Sequence, residues 1–244
     1  LEEQLRVARS IQEGLLPREI PGVRGLEVEA MIRFCLDVAG DYYDIMRLDD
    51  GRLLLAVADV AGKGVGPALL MANLQASLRT TREMGISLAE TASRMNALIY
   101  DNTPPELFIT FFLACIDPAG GRLSYVNAGH NPPILMRSSG DTRSLSKGGL
   151  LFGVVRNAVY DQGMETFEPG DTLLLFTDGV SEAMDPGGEE YGTDRIENIM
   201  RSSMDLSLKE LLTKIEKSVE EFHGSSRYYD DFTLMAVRRD REGG

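Results

Sequence analysis

The sequence predicts an α+β protein in which antiparallel sheets carry helices on their outer faces. Apolar runs of strand length are joined mostly by hairpin-type turns rather than by one helix each. Some of these runs are apolar at almost every position, as strands covered on both sides are. Helical spacing is confined to an N-terminal segment, a central zone and a late zone.

Residues 1–16, "LEEQLRVARSIQEGLL", set Leu1, Leu5, Ala8, Ile11 and Leu15 at helical spacing and stop at Pro17. This helix reads either as a cap on the core or as the end of a coiled linker. "LEVEAMIRFCL" alternates like a strand and "RLLLAVADV" reads as a buried one, with a turn signal at Asp50-Gly51 between them. Pro67 opens the helix "PALLMANLQASLRTTREM", and Ser87 caps "SLAETASRMNALIYDN". Apolar runs follow at "FITFFLACI", "RLSYVNAG", "PPILMR" and "TLLLFTDG". The helices "TDRIENIMRSSM" and "SLKELLTKIEKSVEEFHG" and the strand "DFTLMAVRR" complete the chain. No internal repeat or low-complexity tract divides it.

With 244 residues, 43% hydrophobic and 26% charged, the chain can bury a sizeable core. No apolar run approaches the roughly 20 residues of a membrane-spanning helix, and no secretory signal stands at the N-terminus. A net charge of -13 argues against nucleic acid as a partner. Cys35 and Cys115 both fall in apolar, strand-like runs, which reads as two small buried hydrophobes rather than a disulfide or zinc site. With only two histidines, His130 and His223, carboxylates are the plentiful ligands, and they suit hard cations such as Mg²⁺ or Mn²⁺.

Those carboxylates recur at strand ends. Six apolar residues, Leu53 to Ala58, run into Asp59, and "TLLLFTDG" ends in Asp178 followed by Gly179. Asp41 and Asp44 lie beside Gly40, and Asp230 and Asp231 precede the last strand. Singly, each reads as an ordinary turn aspartate bonding nearby backbone N–H groups. Together, four such places would form a like-charged cluster that needs cations if the strand ends converge. "GKG" at 62–64 is not a P-loop: position 57 is Val where Gly is required, and Gly64 stands where Ser or Thr must follow Lys63. Lys63 is then a solvated turn residue or a cation at a phosphate site.

"IQEGLLP" (11–17), "VAGDYYD" (38–44), "ADVAGKGVGPALLMA" (58–72), "YVNAGHNPP" (125–133), "FTDGVSEA" (176–183) and "DDFTL" (230–234) occur in this order. Together they resemble the SpoIIE/RsbU branch of the PPM (PP2C-like) metal-dependent serine/threonine phosphatases, over essentially the whole chain. The resemblance implies an α-β-β-α sandwich of two antiparallel sheets with two Mn²⁺ or Mg²⁺ ions at one edge. It implies that Asp59 bridges the ions and that the Val60 carbonyl is a further ligand. Asp178 and Asp230 complete one ion, with Asp231 as a less certain ligand. Asp41 reaches the other ion, largely through water. Gly40, Gly179 and Asp44 fall around these ligands, Asp44 in a supporting or structural place. The nucleophile is then a water activated by the metal pair, not a protein side chain.

The chain departs from that pattern in three ways. Ala61 stands near the place of the histidine that eukaryotic relatives use to protonate the leaving group, and no phosphate-binding arginine is identifiable. His130 and Lys63 are the remaining candidates for a proton donor, although His130 reads first as part of a tight structural turn, Asn127 to Pro133. Ala39 replaces the first glycine of a Gly-Gly-Asp motif, which would disfavour a positive φ there.

By resemblance, residues 1–17 are a switch helix leading from an upstream sensor domain, and 18–240 the phosphatase domain of a bacterial cytoplasmic protein. The initial Leu agrees with a piece of something longer. The expected substrate is a phosphorylated signalling protein, of the STAS type among anti-sigma-factor antagonists, and a homodimer through the N-terminal helix is expected. Two other readings stand beside this one: a catalytically silent partner-switching module, which would usually have lost one of the aspartates, and a small-metabolite phosphohydrolase, which would need a deep polar pocket.

Overall fold

The computed structural model describes residues 2–104, 106–224 and 228–241. Helix α1 (Glu2–Leu15) leads to strands β1 (Leu26–Arg33), β2 (Tyr42–Arg47) and β3 (Leu53–Val60), then helices α2 (Val65–Thr81) and α3 (Leu88–Asn102). Strands β4 (Ile109–Asp117), β5 (Arg122–Ala128), β6 (Ile134–Met136), β7 (Thr142–Ser144), β8 (Gly148–Gly149), β9 (Gly163–Thr166) and β10 (Thr172–Phe176) follow. The short helix α4 (Asp178–Ser181), α5 (Thr193–Arg201), α6 (Leu208–His223) and strand β11 (Phe232–Arg239) close the chain.

Among the described residues the strands form two sheets, one ordered β1-β11-β10-β6-β7 and the other β2-β3-β4-β5-β8, with β9 also on β5. All pairings are antiparallel except β5 with β8. Helices α2 and α3 cover the second sheet, and α5 and α6 the first, giving the α-β-β-α sandwich that the resemblance implied. Alternation along β10 shows the layering. Leu173 and Leu175 join the core shared with the other sheet, while Leu174 and Phe176 join the core under α5 and α6. Strand β3 is buried almost throughout because helices cover one face and a sheet the other.

The turn at Asp50-Gly51 does join a hairpin, but the partner of β3 is Tyr42–Arg47 and not the earlier apolar strand. That earlier strand, β1, pairs with β11 in the opposite sheet. Charged residues hide β2 in the sequence: the buried Asp44 is an acid that its bidentate pairing with Arg79 of α2, at 3.0 and 3.3 Å, helps make tolerable there. Cys115 is buried in β4 as expected, whereas Cys35 lies beyond the end of β1, half-buried in a loop. No helix among the described residues is long and apolar enough to cross a membrane.

Candidate metal centre

The centre is built where strand ends of both sheets meet. Asp59 and Val60 end β3, Asp178 follows β10, Asp230 and Asp231 precede β11, and Asp41 precedes β2. Gly40 lies directly on the end of β3: a Cβ added there would stand 2.7 Å from the Val60 carbonyl and 3.6 Å from Asp59 Oδ1. Gly179 presses harder still on the segment before β11, where an added Cβ would stand 2.0 Å from the Asp231 carbonyl. Neither glycine has a positive φ, so both are small because neighbouring backbone needs the room. Ala39 likewise avoids positive φ, so its methyl is accommodated.

Hydrogen bonds lock the acids into register across the sandwich. Asp41 is fully buried and accepts from Thr177 Oγ1 at 2.7 Å and Thr233 Oγ1 at 2.5 Å. Both threonines belong to the other sheet's edge of the centre. The two oxygens of Asp231 accept from the backbone N–H groups of Cys35 at 2.9 Å and Gly40 at 2.8 Å. Asp231 therefore holds the 34–41 loop in place, which accounts for its burial. Asp230, its neighbour, turns outward and meets Lys63 Nζ at 2.9 Å. Lys63 also donates to the Tyr229 carbonyl, so this turn lysine belongs to the site and is no solvated bystander.

The electrostatics are those of acids short of cations. Burial, then the charges of Asp178, Asp230 and Asp231, push the Asp59 carboxyl up to about 7 against the opposing pull of Lys63. Burial and Asp230 raise Asp178, and burial with Asp59 and Asp231 raises Asp41 well above the carboxylate range. The donor set fits a hard divalent ion: its members are oxygens, and a cation would relieve every one of these shifts. Cys35 is the unexpected member. Its sulfur and the carboxylates of Asp230 and Asp231 lie within 4.8 Å of one another. Burial and Asp231 push the thiol up to about 12, so it stands there protonated. Nothing in the "FCL" pattern placed it at the centre.

Two other sequence candidates fall elsewhere. Asp44 turns to the helix side, bonded by Tyr42 Oη at 2.7 Å and by Arg79, and its place is structural. His130 sits behind Thr110, the residue paired opposite Asp59, and shares a 2.8 Å hydrogen bond with its hydroxyl. Asn127 Oδ1 accepts from the His130 backbone N–H at 2.8 Å, which closes the tight turn read from the sequence. Burial lowers the imidazole to about 4, and at 3% exposure it cannot reach a protein substrate. We therefore discard His130 as a proton donor.

Two antiparallel sheets between helix layers, with a carboxylate centre at their common edge, define a PP2C-like phosphatase domain. The family model described as "Stage II sporulation protein E (SpoIIE)" matches residues 49–240, and the chain belongs to that family, in its SpoIIE/RsbU-type branch of protein serine/threonine phosphatases. It is 28% identical over 240 residues to the phosphoserine phosphatase RsbU of Bacillus subtilis (strain 168), covering 98% of this chain and 71% of that protein. It spans 42% and 58% of the lengths of two further relatives, so these extend well beyond it. The SiaA-PP2C domain of Pseudomonas aeruginosa superimposes with a TM-score of 0.85 at 21% identity, covering 98% of this chain and 97% of that one. RsbX, solved in complex with magnesium, gives a TM-score of 0.69 at 19% identity, covering 91% of this chain and 99% of that one.

Proposed function

We propose that the chain hydrolyses phosphoserine or phosphothreonine on a bacterial signalling protein, with two Mn²⁺ or Mg²⁺ ions held by its strand-end acids. The observation that carries this reading is the meeting of Asp59, Asp178 and Asp230, from three strand ends, in a site whose one nearby cation, among the described residues, is Lys63. Asp59 would be shared between the ions. The Val60 carbonyl, Asp178 and Asp230 would complete the set, with Asp41 reaching it less directly and Asp231 holding the loop behind. When bound, the ions supply an activated water nucleophile and neutralise the phosphoryl oxygens.

The chain's own groups do the rest. Thr177 and Thr233 keep Asp41 oriented, and Asp231 keeps Gly40 close enough for the Asp41 loop to cover β3. Lys63, half-exposed on Asp230, would meet a phosphate oxygen or give a proton to the departing serine oxygen. A STAS-type phosphoprotein suits the family's partner switching. Residues 1–17 would couple an upstream sensor domain, with dimerisation through α1, to the domain at 18–240, in the bacterial cytoplasm.

The test is Mn²⁺-dependent hydrolysis of para-nitrophenyl phosphate and of a phosphorylated STAS-type protein, comparing the wild-type chain with Asp178→Asn. Hydrolysis that needs metal and disappears in the variant is the expected result. A wild-type chain that binds Mn²⁺ but releases no phosphate from either substrate would replace this reading with the silent partner-switching module.

A further inference from the structure

Beside the acids lies a pocket of about 720 Å³, and it shares Lys63, Asp178 and Asp230 with the centre. Its far side is formed by the segment after α4 and by the C-terminal end of α6. Much of the lining is apolar. Met184 is 51% and Tyr229 74% exposed, large apolar surfaces left for something to cover. The rings of His223 and Tyr229 meet edge to face, 4.7 Å between centroids.

The charged groups of this lining are mostly acids, and the Tyr228 hydroxyl donates to one of them, Glu220, at 2.9 Å. Glu182, Asp185 and Glu220 carry negative charge into it, and Lys63, already engaged by Asp230, is the one lysine or arginine among its described lining residues. His223 gives its Nδ1–H to the Met184 carbonyl at 2.5 Å, which ties the end of α6 to the segment after α4. An apolar lining with acceptors around it matches a side chain that has a long aliphatic stem and donors only, which describes lysine and arginine.

We propose that this pocket seats the stretch of the phosphoprotein next to its phosphorylated residue and selects a lysine or arginine there. The proposal rests on the phosphatase reading above. A phosphate at Asp59, Asp178 and Asp230 puts the neighbouring substrate residues at the pocket mouth, because the two sites share side chains. A volume of about 720 Å³ leaves room for a long side chain beside the centre.

Phosphoserine peptides that carry arginine, alanine or glutamate at each position flanking the phosphoserine test this on the Mn²⁺-supplied chain, with para-nitrophenyl phosphate run in parallel. Each peptide is read as kcat/KM and, where turnover is slow, as its potency in competing with para-nitrophenyl phosphate. At one flanking position arginine should be favoured over alanine by about fivefold and glutamate disfavoured. The arginine-to-alanine ratio should fall towards one in Glu182→Gln and in Glu220→Gln. A wild-type ratio near one at every position, a preference for glutamate, or a ratio that both variants leave intact would overturn the proposal. Failure to cleave para-nitrophenyl phosphate and every peptide would instead overturn the phosphatase reading beneath it.

Discussion

At Gly179 the space beside Cα is filled by the Asp231 carbonyl, so even a methyl group must drive the ends of β10 and β11 apart. Those ends carry Asp178 and Asp230, and their spacing is what a shared ion would read. Gly179→Ala should therefore lose activity by about 10- to 100-fold and stability by about 1–3 kcal/mol, measured by phosphate release and thermal unfolding. Asp178→Asn separates charge from shape. It keeps the volume, should lower Mn²⁺-dependent turnover by at least about 100-fold, and should leave the metal-free protein as stable as before or more so. The sign follows from the raised carboxyl of Asp178, whose charged form burial and then Asp230 disfavour in the native state. A metal-free variant clearly less stable than wild type would sink that account. Asp59 and Asp178 were legible because each ends an apolar run abruptly. The division of labour in Asp230-Asp231 was not, since it is set by partners distant in the chain: one carboxylate meets Lys63, the other two backbone N–H groups.

Helix α1 reaches the loop that carries Asp41 through Gln12, beside a cation–π contact of Arg9 with Phe34 at 5.3 Å. Gln12 is buried at 3% exposure, and its amide makes two bonds to Ala39, Nε2 donating to the carbonyl at 2.6 Å and Oε1 accepting from the N–H at 3.0 Å. The clamp sits two residues from Asp41. Gln12→Ala should cost about 1–3 kcal/mol and weaken Mn²⁺ affinity, seen as a higher Mn²⁺ concentration for half-maximal activity. Unchanged metal dependence with lowered stability would limit Gln12 to holding the helix on the sheet. At this scale the sequence was readable where local rules govern. Ser207 and Glu210 form a capping box at α6, and Ser87 caps α3 through the Glu90 N–H at 3.2 Å. It was unreadable where partners are distant. Gln12 looks like any polar helix position until Ala39 is folded against it, and β2 looks too charged for a core strand until Arg79 reaches Asp44.

The whole molecule is two sheets whose shared edge is a row of like charges. The sandwich was legible from turn spacing and the ordered motifs. The pairing of β1 with β11 was not, because no local signal joins segments at opposite ends of the chain. Closing the sandwich forces Asp41, Asp59 and Asp178 to hold protons more tightly than an unfolded chain would, with Asp59 titrating near 7. Groups whose native carboxyls are raised contribute stability that is present at low pH and is lost as pH rises through the native value. The metal-free chain should therefore lose stability from these groups between about pH 4 and about pH 7. Exposed pairs such as Asp101–Arg156, with a lowered carboxyl, work the opposite way but at more acid pH, so they do not mask the window. Divalent ions need the deprotonated acids and cancel their repulsion, so the rise in Tm on adding Mn²⁺ should widen from about pH 5 to about pH 8. Asp178→Asn should shrink that widening. Thermal unfolding with and without Mn²⁺ across this range decides it: a metal-induced shift that is flat in pH would mean that the strand-end acids do not hold the ion.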